Sequence, residues 1–96
     1  MTNRKRLNRA NHYAYKVLKQ IQKAITACNA MGFTVRETII PERGKPRLVV
    51  DDCPAGRERL KTMQAWIYKS EGGNQERIQT ARCNVEGIYV EWRVNQ

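Results

Sequence analysis

Small and apolar residues recur at three- and four-residue steps through the first third of the chain, and this spacing constrains the fold more than any other feature. The residues concerned are Leu7, Ala10, Ala14, Val17, Leu18, Ile21, Ala24, Ile25, Cys28 and Met31. Residues at such steps share one side of an α-helix. The spacing predicts an amphipathic helix that begins near residue 4 and ends at Gly32, a residue suited to a C-cap. At ~1.5 Å per residue, this helix is about 40 Å long.

Four segments have the alternating, β-branched character of strands. They are residues 33–40, 47–51, 76–83 and 87–94. The segment PERGKP between the first two contains two prolines and a glycine, and predicts a turn or short loop. In the last strand, one side is expected to face the core (Ile88, Val90, Trp92, Val94) and the other to be solvated (Tyr89, Glu91, Arg93).

A second helix is predicted between the two pairs of strands. Asp52 or Cys53 is expected to cap it, Pro54 lies in its first turn, and the segment 71–74 ends it. Its apolar side is formed by Leu60, Met63 and Ile67, with Trp66 as a further candidate. The predicted order is α-β-β-α-β-β. We therefore expect one α+β domain over residues 1–96, with a four-stranded antiparallel sheet and both helices packed on one face.

The charge of the chain is concentrated at its N-terminal end. Eighteen Lys and Arg residues against nine acids give a formal net charge of +9. Residues 1–36 contain eight of the basic residues and no acid, whereas residues 37–96 contain ten basic residues and nine acids. A strongly basic segment favours a polyanionic partner, with nucleic acid first and an anionic membrane surface second.

Six residues of the first predicted helix fall within about 80° of arc on a helical wheel. They are Lys5, Arg9, His12, Lys16, Lys19 and Lys23, which we call the basic stripe; Arg4 and Arg6 extend it, and Tyr13 and Tyr15 flank it. Like charges three or four residues apart weaken a helix, and cations near its N-terminus oppose its dipole. Because the stripe opposes folding, we expect it to bind nucleic acid or a nucleic-acid-containing complex. A solvated face that only maintains solubility, or docking to a membrane or an acidic protein, are the alternatives.

A second basic cluster surrounds the predicted turn and consists of Arg43, Lys45 and Arg47. A basic loop can clamp a phosphate backbone, although an ordinary exposed turn gives the same pattern. We expect both clusters to contact nucleic acid or a nucleoprotein complex. The sequence does not distinguish DNA from RNA or indicate an oligomeric state.

Catalytic and metal-binding patterns are weak, and we expect no enzyme, no cofactor and no metal site. His12 lies among cations, away from the nucleophile and acid of a triad. Cys28, Cys53 and Cys83 lack the spacing of a zinc site, and an odd count of thiols is typical of a reduced compartment such as the cytoplasm. A magnesium nuclease using Asp51 and Asp52 with Glu37 is an alternative, but acids before a helix also act as caps.

The chain as a whole resembles the small accessory proteins of phages and other mobile elements, including anti-CRISPR proteins. The resemblance is carried by the general character of a compact, motif-poor chain that begins MTNRKRLNRANHYAYK. It implies a protein that works by occupying a surface, without catalysis, in the cytoplasm of a bacterial host cell. This gives a second hypothesis, in which the chain blocks a host protein or ribonucleoprotein machine and Trp66, Tyr68 or Tyr89 supplies aromatic anchors. An organelle transit peptide is a further alternative for the basic start.

Overall fold

Two helices and five strands make up the described part of the chain, residues 6–72 and 77–94 of a computed structural model. Their order and bounds are α1 (Arg9–Met31), β1 (Val35–Ile39), β2 (Arg47–Val50), α2 (Pro54–Lys61), β3 (Trp66–Glu71), β4 (Ile78–Val85) and β5 (Ile88–Val94). The predicted α+β class and the two helices are confirmed. Each of the four predicted strands is present, and its first and last residues lie within two residues of the predicted ones.

The five strands form one mixed sheet in the order β1-β2-β5-β4-β3. Strands β1 and β2 are antiparallel, and so are β5 and β4, and β4 and β3. Strands β2 and β5 are parallel, with Arg47 opposite Tyr89 and Val49 opposite Glu91. The prediction of a four-stranded antiparallel sheet is therefore wrong in the number of strands and in the direction of this central pair.

The additional strand, β3, replaces the second half of the predicted second helix. Cys53 is the N-cap of α2 and Pro54 its first residue, as predicted, but the helix ends at Lys61 with Thr62 as its C-cap. Met63 then has a φ of 63°, which turns the chain out of the helix. The aromatic and β-branched segment Trp66–Glu71 pairs with β4. Three apolar residues at helical spacing are too few to outweigh this strand propensity.

Both helices pack on the same face of the sheet. Helix α1 lies across β1, β4 and β5, and α2 is close enough that a Cβ added to Gly56 would lie 2.9 Å from Trp92 Cε2. The buried apolar side chains of the sheet are Leu48, Val50, Ala81, Cys83, Val85, Ile88, Val90 and Trp92. The predicted core side of the last strand is confirmed for Ile88, Val90 and Trp92.

Cys28 and Cys83 are buried core thiols. Burial raises the pKa of Cys28 to about 11, and it also raises the pKa of Cys83. Both side chains are therefore neutral thiols at physiological pH, which is the form that an apolar core accommodates. Cys53 is only half-buried.

Helix α1 begins later than the spacing predicts and is only partly covered by the sheet. The side chain of Asn8 accepts a hydrogen bond of 2.8 Å from the backbone N–H of Asn11, so the helix begins at Arg9 rather than near residue 4. It ends at Gly32, whose φ of 94° is the left-handed C-cap that was predicted. Residues 9–16 are all exposed, and Val17 is the first buried residue. The prediction that α1 packs on the sheet therefore does not hold for its first two turns, including Ala10 and Ala14.

Neither helix in the described ranges has the length and apolar character needed to cross a bilayer.

Candidate functional site

The basic stripe lies on the solvent side of α1. All of its members that the structure describes are exposed: Arg9, His12, Lys16, Lys19 and Lys23. The last four of them line one shallow depression together with Tyr15 and Gln20. Lys5, together with Arg4 that extends the stripe, lies outside the described residues. Since the first turn of α1 contains no acid, these cations meet no counter-charge at the start of their own helix.

Two contacts hold the middle of this helix and one of its cations in place. The side chain of Gln20 donates from Nε2 to the carbonyl oxygen of Glu86, at 3.3 Å, in the turn between β4 and β5. Lys16, which lies one helical turn before Gln20, is exposed to solvent. Lys19 places its Nζ 5.2 Å from the ring centroid of Tyr15, a cation–π distance that keeps the ammonium on the exposed side.

Lys45 of the second basic cluster lies close to the stripe. We call the sheet and its loops the body of the protein. Lys45 lines a depression of about 350 Å³ with Pro46, Gly87 and Ile88 from the body, and with Tyr13, Lys16, Val17 and Gln20 from α1. The Nζ of Lys45 is also 5.6 Å from the ring centroid of Tyr89. The structure therefore brings one residue of the loop between β1 and β2 to the same depression as Lys16, about 29 residues apart in sequence.

The other two residues of the second cluster have different surroundings. Arg43 is exposed in the loop. Arg47 lies in β2 on the sheet face opposite the helices, where its Nε is 3.5 Å from Glu91 Oε1. Arg47 is thus engaged in an ion pair away from the basic stripe, whereas Lys45 borders the same depression as Lys16.

The sheet face opposite the helices carries a charged and aromatic cluster that sequence reasoning missed; we call it the outer cluster. Its members are Arg47, Tyr68, Arg82, Tyr89 and Glu91. The guanidinium carbon of Arg82 lies 3.7 Å from the ring centroid of Tyr68 and 4.3 Å from that of Tyr89. Glu91 was expected to be solvated, but it is 7% exposed. Placing the hairpin turn at Glu86 and Gly87 would have revealed one pair of this cluster, because that register sets Arg82 opposite Glu91.

The outer cluster borders a depression of about 240 Å³ that is lined by both positive and negative side chains. Its charged lining consists of Glu37, Glu71 and Glu91 with Arg47, Lys69 and Arg93. Three acids and three bases in one depression give no net attraction for a polyanion. This face therefore differs in electrostatic character from α1.

Two of the three acids considered as magnesium ligands, Asp51 and Asp52, form ion pairs with arginines. Arg36 donates from Nε to both carboxylate oxygens of Asp51, at 2.9 and 2.8 Å, and these hydrogen bonds hold the pKa of Asp51 below its usual value. Asp52 lies 3.6 Å from the Nε of Arg57. Within the described ranges, no three His, Cys, Asp or Glu side chains come together in an arrangement that could hold a metal ion.

Comparison with known proteins gives a family but no activity. Residues 1–95 match a family described as "Uncharacterised protein". A protein of Haemophilus influenzae, named "Uncharacterized protein", is 36% identical over 83 residues, which are 86% of this chain and 79% of that protein. No solved structure gives a significant match. The chain therefore belongs to the family described as "Uncharacterised protein".

Proposed function

We propose that this chain is a non-catalytic nucleic-acid-binding protein whose contact surface is the basic stripe of α1. The observation that carries the proposal is the exposed alignment of Arg9, Lys16, Lys19 and Lys23 along one side of a helix that contains no acid. A phosphate backbone is a regular line of negative charges. A rigid line of cations neutralises several phosphates at once and releases their counterions.

The energetics of α1 support a binding role for these cations. Lys16, Lys19 and Lys23 are spaced three and four residues apart, so their mutual repulsion weakens the helix by a few tenths of a kcal/mol per pair. Arg9 is the first residue of α1 and opposes the positive end of the helix dipole. Residues that cost stability and make no ion pair within α1 are better explained by an external anion than by folding.

Lys45 supports a contact surface wider than the helix. It borders the same depression as Lys16 and Tyr13. A phosphate lying beside α1 would thus meet an ammonium from the loop between β1 and β2 as well. The exposed ring of Tyr13, 66% accessible, is positioned to contact the sugar or base next to that phosphate.

A second candidate function is inhibition of a host protein or ribonucleoprotein machine, as in phage accessory proteins. It is favoured by exposed apolar and aromatic side chains at the same end of α1: Leu7, Tyr13, Tyr15 and Leu18. Such side chains anchor protein interfaces, and the cations around them would suit an acidic or RNA-covered surface. In this case, bare nucleic acid would bind weakly and the target would bind stoichiometrically.

The experiment that separates the two is fluorescence anisotropy with short labelled DNA and RNA, single- and double-stranded, over a series of salt concentrations. Direct binding predicts an affinity that falls steeply with salt, with a log–log slope near the number of neutralised phosphates. Replacing Lys16, Lys19 and Lys23 together with Gln should lower the affinity by at least about tenfold and reduce that slope by roughly 2–3.

The matched control removes three positive charges from elsewhere on the surface. Lys61, Arg77 and Arg93 are exposed and lie outside the basic stripe. Replacing all three with Gln changes the net charge by the same amount, so an equal loss of affinity would assign the binding to total charge and contradict the proposed surface. Absence of salt-sensitive binding to every probe would reject direct binding and turn the search to a protein target.

A further inference from the structure

Every residue in the first two turns of α1 is exposed, although Tyr13 and Lys16 also border the depression that contains Lys45. All eight residues from 9 to 16 are exposed, including Ala10 and Ala14. These two alanines lie on the same side of the helix as Ile21 and Cys28, which are buried under the sheet. The apolar side of α1 therefore continues past the edge of the body, where the described residues provide nothing for it to cover.

A helical segment exposed in this way has the dimensions of a nucleic-acid groove. A helix with its side chains is about 10–12 Å in diameter, and eight residues extend about 12 Å along its axis. The major groove of B-form DNA is about 12 Å wide and admits such a cylinder. The major groove of A-form RNA is too narrow for it.

We propose that residues 9–16 of α1 enter the major groove of double-stranded DNA, while Lys19, Lys23 and Lys45 contact the phosphates at its edge. This inference rests on the nucleic-acid binding proposed above and names its substrate class. Charge complementarity selects the occupant, because the sequence has no acid before Glu37. The small side chains of Ala10 and Ala14 keep one side of the cylinder slim enough to approach a groove wall.

One exposed polar residue of this segment has the chemistry of a base reader. Asn11 carries the amide that recognises adenine, whereas Arg9, about 160° around the helix, belongs to the basic stripe. Both side chains are exposed. The side-chain oxygen of Asn8 is instead occupied by the N–H of Asn11, so Asn8 caps the helix and leaves Asn11 as the free amide.

The alternative surface for a nucleic acid is the sheet face with the outer cluster, which would take single strands. Its rings are already occupied, since Arg82 stacks on both Tyr68 and Tyr89. The depression beside them is lined by as many acids as bases. Both features argue against a polyanion there, and preference for single strands is a result that would overturn the inference.

The test compares a short labelled DNA duplex with an RNA duplex of the same sequence and with the separate DNA strands, near physiological salt. Groove entry predicts that duplex DNA binds at least about tenfold more tightly than duplex RNA or single strands, because only B-form DNA admits the helix. A major-groove ligand such as methyl green should displace the protein, whereas the minor-groove ligand netropsin should not. Equal affinity for duplex RNA, or tighter binding of single strands, would overturn groove entry.

A matched pair of variants tests the geometry. Asn11 and Asn29 are both exposed and occupy the same angular position on α1, about 27 Å apart along the axis. Asn11→Glu and Asn29→Glu change the charge equally, and both positions lie well away from the basic stripe around the helix. Groove entry surrounds position 11 with DNA, so Asn11→Glu should weaken binding at least about tenfold and Asn29→Glu no more than about twofold.

The two proposals fail in different ways. If Asn11→Glu and Asn29→Glu have the same effect while the triple Gln variant of the basic stripe loses salt-sensitive binding, groove entry is wrong and the stripe lies flat on a backbone. If no probe binds in a salt-sensitive manner, the proposed function itself is wrong. Glu at the third position of a helix favours its capping and dipole, so Asn11→Glu is expected to fold, and circular dichroism checks this.

Discussion

Arg82 donates from Nη2 to Oε2 of Glu91 across 2.7 Å, on the sheet face opposite the helices. The Nε of Arg47 lies 3.5 Å from the other oxygen of the same carboxylate. Glu91 belongs to β5, the central strand, and its side chain is only 9% exposed. One buried carboxylate thus joins guanidinium groups from the two strands that flank it.

The first prediction concerns this carboxylate. Glu91→Gln leaves two guanidinium groups close together without their counter-charge, and we expect it to lower the free energy of unfolding by about 1–3 kcal/mol. The expected loss is below that of a fully buried pair because Arg47 and Arg82 retain partial access to solvent. Urea denaturation followed by circular dichroism measures the change. Glu37→Gln, on an exposed residue of β1, should change the stability by less than about 0.5 kcal/mol.

Glu91 is also a residue whose surroundings the sequence reasoning predicted wrongly. The alternation of β5 correctly separated Val90 and Trp92 from Tyr89 and Arg93, since a period of two identifies the two sides of any strand. It did not reveal that Glu91 is covered by side chains from β2 and β4. The contact with β4 follows from the register of the hairpin, but β2 lies beside β5 only through a long-range parallel pairing that no local pattern encodes.

The second prediction concerns the contact between α2 and β5. A Cβ added to Gly56 would lie 2.9–3.2 Å from three atoms of the indole of Trp92. Although alanine favours a helix by about 1 kcal/mol over glycine, overpacking against a buried ring costs about 1–3 kcal/mol. Gly56→Ala should therefore destabilise the protein. If the ring is the cause, the cost should shrink when Trp92→Phe provides space, which a double-mutant cycle measures. An unchanged cost would contradict this explanation.

The third prediction concerns acid pH. The hydrogen bonds from Arg36 lower the pKa of Asp51. Because the carboxylate is favoured in the folded state, its stabilising effect is complete above the ordinary pKa of an Asp and is lost as the pH falls through the lowered value. Arg36→Gln should therefore reduce stability at neutral pH, and its difference from the wild type should disappear in acid. Urea midpoints over a pH series measure this.

Arg77→Gln is the control for that series, because Arg77 is exposed and the substitution changes the charge equally. Its difference from the wild type should stay small and should not follow the titration of an Asp. A gap between Arg36→Gln and the wild type that is constant from neutral to acid pH would show that Asp51 is not its source.

The candidate site was more predictable than the sheet. The angular positions of Arg9, Lys16, Lys19 and Lys23 follow from the period of a helix, so their alignment required no tertiary information. That Lys45 would share a depression with Lys16 required knowledge of where the loop between β1 and β2 lies relative to α1. The point at which the body stops covering α1, at Val17, likewise depends on the length of the sheet and not on the helix itself.

The last prediction follows from that boundary within α1. Residues 13–16 and 24–28 belong to the same continuous helix, but only the second group packs against the sheet. Short helical segments without tertiary packing are marginal in water, so the amides of 13–16 should exchange with solvent at least about tenfold faster than those of 24–28. Hydrogen exchange read by NMR measures both groups in one experiment. Duplex DNA should slow exchange at 13–16 and leave 24–28 unchanged. Equal protection of both groups in the free protein would mean that the first turns are already covered in solution, and dilution would then show whether a second copy covers them.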